Sequence, residues 1–223
     1  MYMNSFNGSL PRNSQYIEKC DEYMDYINNH RDRVKSAYKK YFEGKLEFIL
    51  DGYDPSEISM IEKILPSQIE NHDMSKYSDL EFEPYRAYRY PTDDEKEAMA
   101  NDEFLAKLVE EKFIDAMNHH RKVNPHHPYY YLWIDDNGCS ITDKPRESAL
   151  DMPVPAVIEM ICDWASFDEE FDYLKWYVTK DAEDVRTIMT DNTKKIVESI
   201  TEKILPERWE QLKSLDIFVS NKE

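Results

Sequence analysis

The stretch DEFLAKLVEEKFIDAMNHHRKV, residues 102–123, repeats apolar side chains at the spacing of an α-helix. Residues three and four positions apart share one helical face. On this basis the inward-facing side chains are Leu105, Leu108, Val109, Phe113, Met117 and His120. His119 lies about 100° around the helix from His120, so His120 is the stronger candidate for a buried role. Asn124-Pro125 then ends the predicted helix.

The same periodicity covers most of the remaining chain. It predicts further helices at 15–52, 55–65, 66–77, 169–179, 181–204 and 206–215, and one opened by Pro153 and Pro155. Pro66 is expected to start the helix that carries His72-Asp73. With only 4 glycines in 223 residues, a fold rich in tight turns is disfavoured. The prediction is therefore an all-α fold.

Two segments lack a clear helical pattern. EFEPYRAYRYPTDDE, residues 81–95, contains two prolines and is expected to form a loop or short turns. Residues 129–142 are expected to form a short strand pair or an ordered loop, with Asn137-Gly138 as the turn.

Length and composition are consistent with a single helical domain at 15–223 that follows a flexible tail at 1–14. The three cysteines, Cys20, Cys139 and Cys162, form no CxxC pair, which favours a reducing cytoplasm over a disulfide framework. No stretch reaches the roughly 20 apolar residues of a membrane helix. The composition does not indicate an oligomeric state.

The net charge is −18, from 28 basic and 46 acidic residues. Such a surface repels nucleic-acid backbones, so a nucleic-acid polymer is disfavoured as a ligand. Small anionic substrates remain compatible with this charge, because a bound cation can reverse the local field.

All six histidines fall into one ordered series with aspartates. The series is His30, His72-Asp73, His119-His120, His126-His127 and Asp163. Histidine and aspartate are ligands of divalent transition metals. We therefore expect this series to form a metal site.

The segment HDMSK, residues 72–76, resembles the HD-x-x-K signature of the HD superfamily of metal-dependent phosphohydrolases. The resemblance implies an HD-type helical bundle. It also implies metal ligation by His30, His72, Asp73, His120, His126 or His127, and Asp163, with Asp73 bridging two ions. A site with one ion would need only His30, His72, Asp73 and Asp163. The chain lacks the glycine-rich signature of the cyclic-dinucleotide enzymes in that superfamily.

A second resemblance covers more of the chain. HDMSK, EFEPY, NHHRKVNPHHPYYY and MPVPAVIEMICDW are similar to a family of short bacterial and phage proteins catalogued only as a domain of unknown function. This similarity runs from about His30 to Trp164 and leaves residues 180–223 outside the recognised motifs. If the protein is phage-encoded, the expected location is the host cytoplasm.

The resemblance to the HD superfamily implies a hydrolase that acts on a small phosphorylated substrate, such as a nucleotide mono- or diester. One or two ions of Mn, Fe, Co, Ni or Zn would activate a hydroxide that attacks phosphorus. Lys76, three residues after Asp73, is expected to bind phosphate, and Glu81 is a candidate general acid or base. Glu159 and His119 are expected to orient the ligands.

Two alternatives remain open from the sequence. HD-type sites also host di-iron oxygenases. A chain this acidic could also act without catalysis, as a nucleic-acid mimic that occupies a basic site on a partner. However, the acidic runs are dispersed at 93–95, 110–111, 135–136 and 168–170, and mimicry gives no reason to place histidines beside aspartates.

Overall fold

The structure is a computed structural model that describes residues 14–167 and 172–214. It is 73% helical, and its described part contains no strand or sheet, which confirms the all-α prediction. The α-helices of the described residues are α1 Ser14–Tyr41, α2 Leu46–Ile49, α3 Pro55–Glu70, α4 Phe82–Arg89, α5 Asp93–Asn101, α6 Glu103–Val123, α7 Val154–Ala165, α8 Tyr173–Val178, α9 Glu183–Ile188, α10 Asp191–Ile204 and α11 Pro206–Ser214. Short 3-10 helices cover Met74–Tyr77, Pro128–Leu132 and Lys180–Ala182.

The chain divides into two compact units. Unit 1 consists of the residues up to Asn29 together with Met74–His120, and unit 2 consists of His30–Asp73 together with the residues from Arg121 onwards. The tail predicted at 1–14 lies outside the described residues apart from Ser14. The prediction of one domain at 15–223 stays a prediction.

Unit 1 packs around aromatic rings. The Tyr23 ring, which is 1% exposed, stacks on Tyr85 with centroids 6.2 Å apart. Phe113 of α6 meets Tyr85 edge-on at 5.1 Å and stacks on Tyr88 at 4.1 Å. Phe82 lies 5.1 Å from Tyr23. Rings in offset and edge-on contact bury much apolar area, which gives this small unit its core.

A buried arginine joins α4 to α5 within unit 1. Arg86 is fully buried, and its guanidinium donates to Glu83 and to both oxygens of Glu95 at 2.6–3.1 Å. Glu95 also forms a capping box with Thr92. The backbone N–H of Glu95 donates to Thr92 Oγ1, and the backbone N–H of Thr92 donates to the Glu95 carboxylate. This network supplies the partners that a buried charge requires.

Unit 2 contains the larger apolar core. α7 supplies its centre, since every residue from Ala156 to Trp164 is buried. α3 packs against α7 through Ile58, Ile61, Leu65 and Ile69, which recur at helical spacing. α10 and α11 add Val197, Ile200, Trp209 and Leu212. A helix buried on all sides needs an apolar sequence, and VPAVIEMICDWA matches this requirement except at Glu159 and Asp163.

The structure differs from the sequence prediction in several places. The helices predicted at 15–52 and 181–204 are each divided, the first into α1 and α2 and the second into α9 and α10. Pro66 lies inside α3 and does not start a new helix, because Leu65 and Ile69 continue the buried face. Residues 81–95 form α4 and the start of α5, where the prolines had suggested a loop. Of the two alternatives for residues 129–142, the strand pair is absent from this described stretch, and beyond the 3-10 helix the region is a loop with one isolated antiparallel bridge between Ile134 and Ser140, around Gly138 at φ +77°.

A helix that spans a membrane must be both long and apolar. Of the helices in the described ranges, none combines the length and the apolar character needed to cross a bilayer.

Candidate metal centre

Four side chains of unit 2 point donor atoms at one another. His30 Nε2 lies 3.2 Å from His72 Nε2, 3.3 Å from Asp73 Oδ2 and 3.2 Å from Asp163 Oδ1. His72 Nε2 lies 3.5 Å from Asp73 Oδ2 and 3.6 Å from Asp163 Oδ1. All four residues are buried. Two imidazoles and two carboxylates therefore converge on a single point.

Three separate segments bring these residues together. His30 lies in α1, four residues before the fully buried Val34, and Asp163 lies one turn after Glu159 in α7. His72 and Asp73 lie in the turn that follows α3, and Arg31 holds that turn by donating from Nε to the His72 carbonyl at 2.9 Å.

The backbone at Asp73 adopts φ +57°, in the left-handed region. This conformation is uncommon for residues other than glycine, although aspartate tolerates it better than most. The helix α3 ends at Glu70, so His72-Asp73, which the sequence predicts on a helix, lie in the turn that follows it. Strained backbone of this kind is often found at functional sites.

The outer nitrogen of each histidine is anchored. The Ser166 hydroxyl donates its one proton to the Asp163 carbonyl at 2.7 Å. Its oxygen therefore accepts from His30 Nδ1, which lies 3.1 Å away. His72 Nδ1 donates to Glu159 Oε1 at 2.9 Å. When the imidazoles are neutral, as metal ligation requires, these bonds place their protons on Nδ1 and leave the Nε2 lone pairs facing inwards.

The converging atoms create a strongly negative centre. In neutral imidazoles of this tautomer, His30 Nε2 and His72 Nε2 lie 3.2 Å apart with their lone pairs facing each other. This contact is repulsive unless a cation lies between the two nitrogens. Burial disfavours a charged imidazolium, but the carboxylates of Asp73, Asp163 and Glu159 outweigh burial and raise the pKa of His72 to about 10. The hydrogen bonds and charges of His30 and His72 also outweigh burial at Asp163 and hold its pKa well below the usual range. The centre therefore attracts positive charge.

The distances fit a divalent transition metal. An ion with four tetrahedral bonds of about 2.1 Å holds its ligand atoms about 3.4 Å apart. The five distances around His30 and His72 span 3.2–3.6 Å. The set of two nitrogens and two oxygens suits Zn, Fe, Mn, Co or Ni.

A second set of donors adjoins the first through Asp73. Its Oδ1 lies 3.4 Å from His126 Nε2, while its Oδ2 faces His30 and His72. Asp73, His126 and His127 can each offer a ligand atom within 4.8 Å of the others. The two histidines follow Asn124-Pro125, where the His127 N–H donates to the Asn124 carbonyl at 3.0 Å. Asp73 thus has the geometry of a bridging carboxylate.

Glu159 connects the two sets. Its Oε1 accepts from His72 Nδ1 at 2.9 Å and from His126 Nδ1 at 3.2 Å, and Gln68 Nε2 donates to Oε2 at 2.6 Å. Burial raises the pKa of Glu159, but the bonds from His126 and His72 outweigh this effect and lower it to about 2. The residue accepts from the outer nitrogen of each histidine, and its predicted role in orienting metal ligands stays a prediction.

The remaining predicted residues lie in unit 1. The buried Glu81 accepts from His119 Nδ1 at 2.7 Å and from His120 Nδ1 at 2.9 Å, and Ser75 Oγ donates to it at 3.1 Å. Burial raises the pKa of Glu81, but these partners outweigh burial and lower it. Lys76 lies in the 3-10 helix Met74–Tyr77, so it does not share an α-helical face with Asp73. The functional roles predicted for these residues stay predictions.

Two residues of the centre were not predicted from the sequence. Ser166 follows Asp163 by three residues, and Gln68 precedes His72 by four. Both orient other side chains through hydrogen bonds, and neither residue type is distinctive at its position. Their spacing to Asp163 and His72 is the only signal that the sequence offered.

No curated protein and no solved structure matches the chain significantly. One family model does match, and it covers residues 19–203, which is most of the 223 residues. The matched range includes every side chain of the candidate centre. The chain therefore belongs to DUF5662, a family of unknown function.

Proposed function

We propose that this protein is a metal-dependent phosphohydrolase whose metal centre is formed by His30, His72, Asp73 and Asp163. The observation that carries the proposal is the convergence of two imidazole nitrogens and two carboxylate oxygens at 3.2–3.6 Å inside unit 2. A second ion would be held by Asp73, His126 and His127.

The side chains of the chain itself would do most of the positioning. Ser166 and Glu159 fix the histidine tautomers, and Asp73 sets the spacing between the two ion positions. Divalent ions held there would supply polarisation of a phosphoryl group and acidification of water near neutral pH. Burial of the centre strengthens these electrostatic effects.

The substrate class follows from the resemblance of HDMSK to the HD signature. We propose a small phosphoester, with nucleotide mono- and diesters as the first candidates. The charge of −18 supports a small molecule over a nucleic-acid polymer, because the repulsion grows with the number of phosphates.

The test is a panel of nucleoside monophosphates, cyclic nucleotides and sugar phosphates incubated with manganese-loaded protein. We expect phosphate release or ring opening with at least one compound. The rate should fall at least 100-fold in Asp163→Asn and stay unchanged in Asp184→Asn, an exposed aspartate of α9.

If the metal-loaded protein hydrolyses none of the compounds in the panel, the proposed hydrolysis of these esters is contradicted. If the iron-loaded protein then consumed oxygen with an organic substrate, an oxygenase on the same ligands would replace the phosphohydrolase.

A further inference from the structure

A second candidate site lies in unit 2, on the other side of His30 from the metal centre. It is a cavity of about 530 Å³ between α1, the end of α7 and the start of α8. Its walls include Arg33, Lys40, Tyr41, Ser166 and Phe167. Cavities of 300–1,000 Å³ are typical of small-molecule sites, so this one has the size for a mononucleotide.

The described part of the cavity wall carries two cations, although the protein is acidic. Arg33 and Lys40 lie seven residues apart on one face of α1, and both line the cavity. The acidic residue among the described lining is Asp172, which is paired with Arg208 at 2.7 Å through Nε. Among the described lining residues, two cations thus face the cavity and the one carboxylate is paired with an arginine.

Arg33 is held in position for an anion. Its Nε donates to the Ser166 carbonyl at 2.7 Å. Within the ranges that the structure describes, this is the one hydrogen bond of its guanidinium. A guanidinium carries five N–H donors in a planar fork that matches phosphate oxygens. The hydrogen bond from Nε thus orients the guanidinium and leaves its two terminal nitrogens to donate to a ligand.

Three aromatic residues, Tyr41, Phe167 and Tyr173, also line the cavity. Phe167 is 43% exposed, which is high for a phenylalanine, and Tyr41 is half-buried with Lys40 Nζ 4.8 Å from its ring centroid. The buried Tyr173 closes the inner end. Exposed rings beside cations are the pattern that stacks on a planar base while the cations bind its phosphate.

The cavity is separate from the metal centre. Ser166 lines it and accepts from His30 Nδ1 at 3.1 Å, and the Phe167 ring lies 5.7 Å from the His30 ring. The metal-facing atom of His30 is Nε2, on the opposite edge of the imidazole. A ligand in the cavity would therefore contact the supports of His30 rather than an ion.

We propose that this cavity binds a mononucleotide-sized anion that carries a planar ring, with its phosphate on Arg33 and Lys40 and its ring against Phe167 and Tyr41. The site does not depend on the proposed hydrolase activity, because none of the four proposed metal ligands lines the cavity; Ser166, which orients His30, does line it. Through Ser166 and His30 its occupant lies next to the metal centre.

Calorimetric titration of the intact, metal-loaded chain tests the proposal. The probe is the 5′-methylenephosphonate analogue of AMP, in which a CH₂ group replaces the ester oxygen and prevents hydrolysis. Adenosine and inorganic phosphate are titrated separately. We expect the cavity to bind one analogue per chain more tightly than either fragment, and any second analogue, bound at the metal centre, to be lost in Asp73→Asn.

Variants of the wall should separate the two parts of the ligand. Lys40→Ala and Arg33→Gln should each weaken the analogue about tenfold or more, as expected for a lost charged hydrogen bond. Lys39→Ala removes the same charge from the neighbouring exposed position and should change binding less than twofold. Phe167→Leu should weaken the analogue and adenosine about fivefold, with no change for phosphate.

Several outcomes would overturn the proposal. The first is that the wild type binds no analogue at millimolar concentration. The second is that Lys39→Ala and Lys40→Ala lose equal affinity for the analogue. The third is that the affinity is unchanged in both Arg33→Gln and Lys40→Ala. Loss of the analogue in Asp73→Asn with retention in Lys40→Ala would place it at the metal centre instead. If Arg33→Gln fails to fold, Lys40→Ala carries the test, because Lys40 is exposed.

Discussion

Glu159 is the residue whose contacts best explain how the centre is held. One of its carboxylate oxygens accepts from both His72 and His126, and Gln68 donates to the other. A carboxylate in this position fixes the ring orientation and raises the basicity of a ligating histidine. Because it contacts a histidine of each donor set, Glu159 should influence metal binding at both positions.

We predict that Glu159→Gln lowers metal affinity about 10–100-fold. The amide keeps an acceptor oxygen but loses the negative charge, and its NH₂ group would face the Gln68 donor. A competition titration with a chelator measures the change, and Glu183→Gln, an exposed residue of α9, is the control. An unchanged affinity in Glu159→Gln would mean that the carboxylate only supports packing.

The sequence predicted the side chains that converge here and an orienting role for Glu159, but not the orienting roles of Ser166 and Gln68. His30 was placed on a buried face by periodicity, and His72, Asp73 and Asp163 were recognised through their order. Ser166 and Gln68 escaped because a serine or glutamine acts through the direction of a hydrogen bond, which has no sequence pattern. The φ of +57° at Asp73 was also invisible, since aspartate is compatible with many conformations.

At the scale of the element, α7 determines the position of two of the carboxylates. Glu159 and Asp163 lie one turn apart on a helix that is otherwise apolar and buried from Ala156 to Trp164. The helix is held by packing on every side, so its register fixes both carboxylates at once.

We predict that Ile161→Ala destabilises the protein by about 2–5 kcal/mol, because Ile161 is fully buried and the truncation leaves a cavity. Urea unfolding measures the loss. Ile64→Ala in α3, where the side chain is 44% exposed, should cost under about 1 kcal/mol. Equal costs for the two variants would show that α7 is not the packing centre of unit 2.

The junction of α4 and α5 should depend on pH. Burial raises the pKa of Glu95, but its bonds from Arg86 and Thr92 outweigh burial and lower it. A lowered folded-state pKa means that this stabilisation is complete above the usual glutamate range, near 4.3, and is lost as pH falls through the folded value. We predict that Glu95→Gln costs about 1–2 kcal/mol at pH 7.

Urea unfolding of wild type and Glu95→Gln between pH 7 and pH 3 measures this dependence. The difference between them should shrink as the pH falls below about 4. Glu97→Gln, an exposed residue of the same helix, should show little difference at any pH. A difference between wild type and Glu95→Gln that stayed constant down to pH 3 would argue against an ionic role.

Helix existence was predicted better than helix boundaries. The long buried faces of α1, α6 and α7 were clear from periodicity. The capping box at Thr92 and Glu95 was a usable signal for α5, but two prolines nearby obscured it. Pro66 stands inside α3 because tertiary packing of Leu65 and Ile69 outweighs the lost backbone hydrogen bond.

At the scale of the whole molecule, the charge of −18 raises the question of nucleic-acid mimicry. Part of that charge has local structural roles. Glu95 pairs with Arg86, and Asp135 Oδ1 accepts from the backbone N–H groups of Asn137 and Cys139 at 2.8 Å. Acidic residues engaged in this way contribute less to a mimic's surface, which favours the metal-centre account.

The most direct test of that account is the metal content of the untagged protein, measured by elemental analysis after loading and desalting. We predict at least one transition-metal ion per chain in the wild type, and its loss in His72→Ala and Asp73→Asn. Both variants should remain helical by circular dichroism. Absence of bound metal in the wild type under every loading condition would contradict the account, and the converging side chains would then be a buried polar cluster without an ion.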